Sequence, residues 1–449
     1  MTRLSNKPLT IVCILSIALS PLFSSSPPAS AQSPTVTSNS ASTATTNSPT
    51  PPDEELKRDV QAWLKKLDSN SLVERDTAEK ELISLGTKIT PHLPPINRRL
   101  SAEASLRLQR IRNALDSAAI EARISGSKIS LEGKVSLQDA LDKLEAIGDV
   151  RFEIDGENTR EVQLHLEEAP FWQALDALLD ASKLDIDLYR DKNSLDLFPN
   201  VRQITRAERT GYTGAFRAEP TMLEMTRDLS TKSSGRMSLA VQIAWEPAAT
   251  PIFMNIPARS LRAILDNDTE LLAINPKANP EFTPVDGTLA TEVSLQFAAP
   301  PRECNEIKEI TMELVALLPG SLQTFRFEEL GSKDEVKLKH GDLTIVLEPV
   351  RKSGEFTEFQ MAMLLNDPNG VFDSYRGWVL NKEAYVLDPQ GKRLENQGFH
   401  TRRLADNEVG ISYLFEIPDD RTGYVFVYEI PGSVVKKTIP LQMKNIPLP

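Results

Sequence analysis

Residues 128–199 read KISLEGKVSLQDALDKLEAIGDVRFEIDGENTREVQLHLEEAPFWQALDALLDASKLDIDLYRDKNSLDLFP, and in this stretch one strand–helix–strand unit is written twice. Ile129 and Leu131 alternate as in a strand. Ser136 then caps a helix with Asp139 three residues on, and Leu137, Ala140, Leu141, Leu144 and Ile147 give its buried face up to Gly148. Val150, Phe152 and Ile154 form the next strand, and Asp155-Gly156 a turn. The second copy has Val162, Leu164 and Leu166 as a strand. Pro170 opens a helix with Phe171, Ala174, Leu175, Leu178 and Leu179 on one face, and a hairpin from Leu184 to Leu197 closes the unit. The pattern predicts a βαββαββ module over 127–199, a small sheet covered on one side by two helices.

Upstream, residues 53–124 are helical. Leu56, Val60, Trp63, Leu64 and Leu67 follow one helix face. Ser71 caps a second helix with Glu74, and Ala78, Leu82 and Leu85 continue its face to Gly86. Thr90-Pro91 predicts a third, short helix with Pro91 at its first position. Ser101 caps a fourth, with Leu108, Ile111 and Leu115 inward and Arg107, Arg110 and Arg112 on the wet face. Downstream, alternating apolar residues in short runs broken by Pro and Gly predict β-sandwiches over 212–330 and 331–449, one or two in number and Ig-like. The fold class is therefore multidomain α+β.

The first 31 residues read as a signal peptide, with Arg3 and Lys7, an apolar run from Pro8 to Phe23, and Ala29-Ser30-Ala31 before the cut. A retained anchor and a lipoprotein at Cys13 are the alternatives. Cleavage removes two cations and no acid, so the net charge of −12 becomes −14, and no apolar run of spanning length remains. So acidic a chain argues against nucleic acid as a partner, because such binding is driven by Lys and Arg on phosphates. Residues 32–52, almost all Ser, Thr, Pro, Ala and Asn, predict a disordered tether. Cys304 is the one cysteine left, a reactive thiol, an intermolecular bridge or a small half-buried hydrophobe.

Three resemblances follow from these residues. Val135-Ser136-Leu137-Gln138-Asp139-Ala140-Leu141 and the run from Pro170 to Leu179 make 127–199 resemble the short N-terminal domain of bacterial secretins and TonB-dependent receptors. That likeness implies a periplasmic protein-interaction module; the pore and barrel of those families have no counterpart here. Arg75, Ala78, Leu82, Leu85 and Gly86 resemble part of a HEAT-like repeat, and the second half resembles the tandem β-domains of exported bacterial proteins.

Chemistry is sparse. His92, His165, His340 and His400 fall in different elements without zinc or triad spacing. Asp367, Asn369 and Asp373 offer oxygen ligands for calcium, or a plain turn. Tyr375, Arg376 and Trp378 make a candidate recognition loop, and Trp172, beside the second helix stripe, a candidate anchor for a partner. The expectation is an exported, periplasmic or extracellular, noncatalytic protein that binds other proteins or cell-envelope components. The alternatives are a polymer hydrolase with a carboxylate site formed only by the fold, and a purely architectural envelope protein.

Overall fold

The computed structural model describes residues 52–94, 100–154, 160–190, 194–227, 229–230, 235–340, 343–365, 383–405 and 407–449. The expected signal segment, nearly all of the tether, and Asp367, Asn369, Asp373, Tyr375, Arg376 and Trp378 lie outside them. With 25% helix and 46% strand, the chain is mostly β with some α. None of the described helices is long and apolar enough to cross a membrane.

The helical part comprises α1 (Pro52–Lys66), α2 (Leu72–Ser84) and α3 (Ala102–Ile124). Ser71 and Ser101 cap α2 and α3 by accepting the Glu74 and Ala104 amides. In place of the helix expected to begin at Pro91, a 3-10 turn spans Thr87–His92, with Pro91 near its end. The wet face expected of α3 is also partly inside: Arg107 is buried among Asp76, Glu79 and Glu103 because α2 packs its acidic side there. Val60, Ala78, Leu82, Ile89, Leu108 and Ile111 form a separate small core.

The expected module elements are all present and in the expected order: β1 (Lys128–Ser136), α4 (Leu137–Gly148), β2 (Arg151–Ile154), β3 (Glu161–Pro170), α5 (Phe171–Ser182), β4 (Leu184–Ile186) and β5 (Ser194–Pro199). Ser136 caps α4 through the Asp139 amide at 3.0 Å. The strands form two sheets where one was expected. β1 pairs antiparallel with β3 as a two-stranded ribbon, while β5 lies between β2, parallel to it, and β4, antiparallel. α5 touches strands of both sheets. That position explains why the buried side of α5 is wide, running from Ala174 and Leu178 through Phe171 and Leu175 to Trp172 and Asp176.

The first β-rich part has a sheet of β6 (Gly211–Thr213), β7 (Phe216–Thr226), β8 (Arg236–Trp245) and β13 (Ala290–Ala298), in the order β13-β8-β7-β6. Its companion sheet is built on β14 (Glu306–Pro319), one edge of which pairs in turn with β10 (Arg262–Leu265) and β9 (Phe253–Asn255), with β11 (Glu270–Leu272) and β12 (Glu281–Phe282) outside. In the second β-rich part, β15 (Leu322–Phe327), β20 (Ala384–Leu387), β21 (Arg393–Glu395) and β24 (Val425–Pro431) make one antiparallel sheet. The other contains β16 (Val336–His340), β17 (Leu343–Leu347), β18 (Arg351–Ser353), β19 (Phe356–Leu365), β22 (Gly398–Ala405) and β23 (Glu408–Phe415). Both second-part sheets feed one core with Phe359, Phe415, Phe426, Tyr413 and Tyr428 inside.

The division between the β-rich parts does not fall at residue 330. β15 already belongs to the second part, and the last strand, β25 (Val434–Pro447), returns to the first, pairing with β14 from Glu306–Pro447 to Pro319–Val434. The chain thus crosses between them twice, at Pro319–Ser321 and at Gly432–Ser433. α3 docks on that double crossing. Asp116 accepts hydrogen bonds from the Ser321 amide (3.1 Å) and the Ser433 hydroxyl (2.6 Å), and Arg123 reaches the Pro319 carbonyl. Gly320 lets Ser433 and Asp116 approach there: a Cβ would stand 2.1 Å from Ser433 Oγ and 2.9 Å from Asp116 Oδ2, so both side chains would have to shift.

The α/β module and the first β-rich part share one core. Leu164, Phe171, Trp172 and Leu195 are continuous with Phe216, Val241, Trp245 and Leu314. Glu246 strengthens the join by accepting the Ser127 amide with both oxygens, at 3.0 and 3.1 Å.

Candidate functional site

The densest group of ionisable side chains lies on the seam between the module and the first β-rich part. It begins with Asp176, which α5 carries four residues after Trp172 and hence on the same face. That face meets Tyr212, Ala215 and Arg217 of β6, β7 and the turn between them, and Asp176 is only 1% exposed. Burial pushes its carboxyl above the ordinary range, and Arg217 pulls it back. Arg217 Nε and the Tyr212 hydroxyl each donate to Asp176 Oδ2 at 2.7 Å, and Arg206 Nε stands 3.5 Å from Oδ1.

The network spreads from there. Burial lowers the Arg217 pKa, but Asp176 and Glu219 more than offset it and hold the guanidinium charged. Its other nitrogens donate to Glu219 (2.5 Å) and Gln242 (2.9 Å). Arg206, in the segment joining module to sheet, pairs with Asp180 and Asp185, and its backbone amide donates to Asp180 at 2.7 Å. Arg202 bridges Asp185, at 3.2 Å, and Glu219. Burial alone would raise the Asp185 and Glu219 carboxyls. Arg202 and Arg206 beside Asp185, and Arg217 and Arg202 beside Glu219, hold both below their ordinary values.

Asp185 and Glu219 are the partly buried carboxylate pair that the hydrolase alternative requires. Both line an open hollow of about 390 Å³. A glycosidase needs one carboxyl held protonated as the acid and one ionised. Here the two share one arginine and both are pulled down, so neither keeps a proton to give. The second place where catalytic residue types meet is on β19, β22 and β23. Ser412 is fully buried and donates its hydroxyl to Glu358 Oε1, and the exposed His400 stands 3.9 Å from that same oxygen. The group beside the serine proton is thus the Glu358 carboxylate, held below its ordinary range chiefly by that same hydrogen bond and so a weak base, and the imidazole of a serine–histidine relay does not stand between them.

Trp172, expected as a partner anchor, is 1% exposed; its indole N–H donates to the Ala215 carbonyl at 3.1 Å. A buried indole offers no surface to another protein, and its work is to seat α5 on the sheet. Cys304 is buried, and burial and Asp266 push its thiol up, the opposite of what activates a cysteine.

Sequence reasoning missed the buried ionic network altogether. One sign was present: Asp176 shares its helix face with Trp172, whose size favours burial. Arg217 and Glu219, two apart on a strand, also share a face, but no local pattern shows that a helix from elsewhere covers it. No family model matches the chain, and no curated protein or solved structure matches it.

Proposed function

We propose that this is an exported, noncatalytic protein that binds another protein of the cell envelope through its α/β module, held on an Ig-like β-rich body. The observation that carries the reading is the β1–β3 ribbon. Its strands are nine and ten residues long, and among the described residues no third strand pairs with either. Each outer edge therefore presents backbone donors and acceptors suited to an added strand. The paired state of the buried carboxylates on the seam supports the noncatalytic side of the proposal, because those charges are spent on holding the module to the body.

Deleting 127–199 would open the shared core, so a point probe is the better test. A photoreactive residue in place of Gln163 on β3, introduced in the exporting cell, is expected to yield a discrete adduct with one or a few envelope proteins. Labelling of many unrelated proteins equally, or of none, overturns the reading.

A further inference from the structure

Three hollows follow one another along the segment that leaves the module. The first, about 810 Å³, lies between the start of β3, the end of α5 and Asn200-Val201. A second, about 120 Å³, shares Lys183, Asn200 and Val201 with it, and the third, about 390 Å³, shares Asn200, Arg202 and Arg206 with the second. Shared lining makes them one open channel.

The charges along it are unbalanced. Each acid on its walls is already matched: Glu161 by Lys134, Asp180 by Arg206, and Asp185 and Glu219 by the arginines of the seam. Lys183, Arg209 and Arg160 form no ion pair among the described residues, although one Arg160 nitrogen donates to the Ser182 carbonyl at 2.9 Å. In a chain of net charge −12, these three cations give the channel a locally basic lining. Between them stand exposed apolar side chains, Val201 at 72% and Ile204 at 38%.

We propose that this channel docks an extended acidic segment of a partner protein, with carboxylates toward Lys183 and Arg209 and apolar side chains on Val201 and Ile204. This rests on the binding role proposed above. A phosphate-rich polymer would satisfy the cations but leave the apolar pair without a partner, which favours a peptide.

The test is fluorescence anisotropy of the purified full chain with a labelled peptide alternating Glu and Leu, against the same peptide with Ser or Lys for Glu, and against polyphosphate as competitor. The expected result is saturable, salt-sensitive binding of the acidic peptide alone. The Lys183→Glu/Arg209→Glu double variant weakens it about tenfold, Lys183→Ala weakens it less, and Lys80→Glu on α2 leaves it unchanged. Melting curves confirm that the variants fold; should the double variant fail, Lys183→Ala alone must still weaken binding. Equal affinity in the channel variants, or displacement by polyphosphate ahead of the Ser peptide's own background, overturns the assignment. If the Gln163 adduct persists undiminished in the double variant, the binding role stands and the channel is not its site.

Discussion

The seam beneath α5 and the interior of the second β-rich part are both buried, yet they are held by different physics. The seam is polar: Asp176, Arg206 and Arg217 are each at most 2% exposed, and each position depends on the direction of its hydrogen bonds. The second interior is aromatic. Phe359 stacks on Phe426 at 5.0 Å and meets Phe415 edge-on at 5.2 Å, contacts that depend on volume and shape. The difference teaches where each region is fragile. An apolar core tolerates changes that keep its volume, whereas a buried charge network fails when one partner is neutralised, even without change of shape.

The sharpest way to break that contrast is Asp176→Asn, which keeps size and removes charge. It leaves Arg217 buried without its main counter-ion, and a loss of about 3–5 kcal/mol is expected in urea unfolding. Asp176→Leu with Arg217→Met should recover part of that loss. If Asp176→Asn is silent, direction and charge do not hold the seam.

A smaller effect is expected where packing alone decides. Gly320→Ala forces a Cβ against Ser433 and Asp116 at the double crossing and should cost about 1–3 kcal/mol. Asp116→Ala in the same background should relieve part of the clash, and strictly additive losses would show that α3 does not dock there as described.

Acid should act on the seam more than on the aromatic core. Asp185 and Glu219 lie below their ordinary 3.8 and 4.5, so their contribution is complete above those values and disappears as pH falls through them toward the folded ones. Asp176, pushed up, works in the opposite sense: acid relieves the burial of its charge while leaving both of its oxygens able to accept from the Arg217, Tyr212 and Arg206 side that faces them, which the amide nitrogen of Asp176→Asn cannot do. With two groups against one, melting temperature should decline below about pH 4.5, and Asp185→Asn should flatten the decline. An unchanged acid limb in that variant would assign the decline to other carboxylates.

The smallest changes test the aromatic side and the surface. Tyr413 is buried, and its hydroxyl has no hydrogen-bond partner among the described residues. Tyr413→Phe should therefore be neutral or stabilise by up to about 1 kcal/mol, read as an unchanged or higher urea midpoint. Lys437→Ala removes an ion pair with the largely exposed Glu121 and should shift the midpoint by no more than about 0.5 kcal/mol.

How much could be read beforehand depends on the range of the interaction involved. The helix caps at Ser71, Ser101 and Ser136 and the repeated order of strands and helices over 127–199 are local. Each depends on residues a few positions apart, and the structure has them. The splitting of the module into two sheets could not be read in this way, because period-2 alternation says that a strand has a buried face and not which strand lies beside it. The candidate site was illegible for the same reason. Arg202, Arg206 and Arg217 look like ordinary solvated positions until α5 is laid over them.

By itself the sequence determined the kinds of element, their order, the acidic balance of the chain and the caps that start its helices, because these follow from side-chain periodicity and backbone chemistry over short distances. Only the tertiary structure decided which elements meet. It returned Val434–Pro447 to β14 and brought Asp116 to Ser433 across more than three hundred residues of chain. It also turned four acids and three arginines into the seam between module and body. Pairing over such separations is selected by the shape and charge of surfaces that exist only once the parts have folded, so no window of sequence contains it.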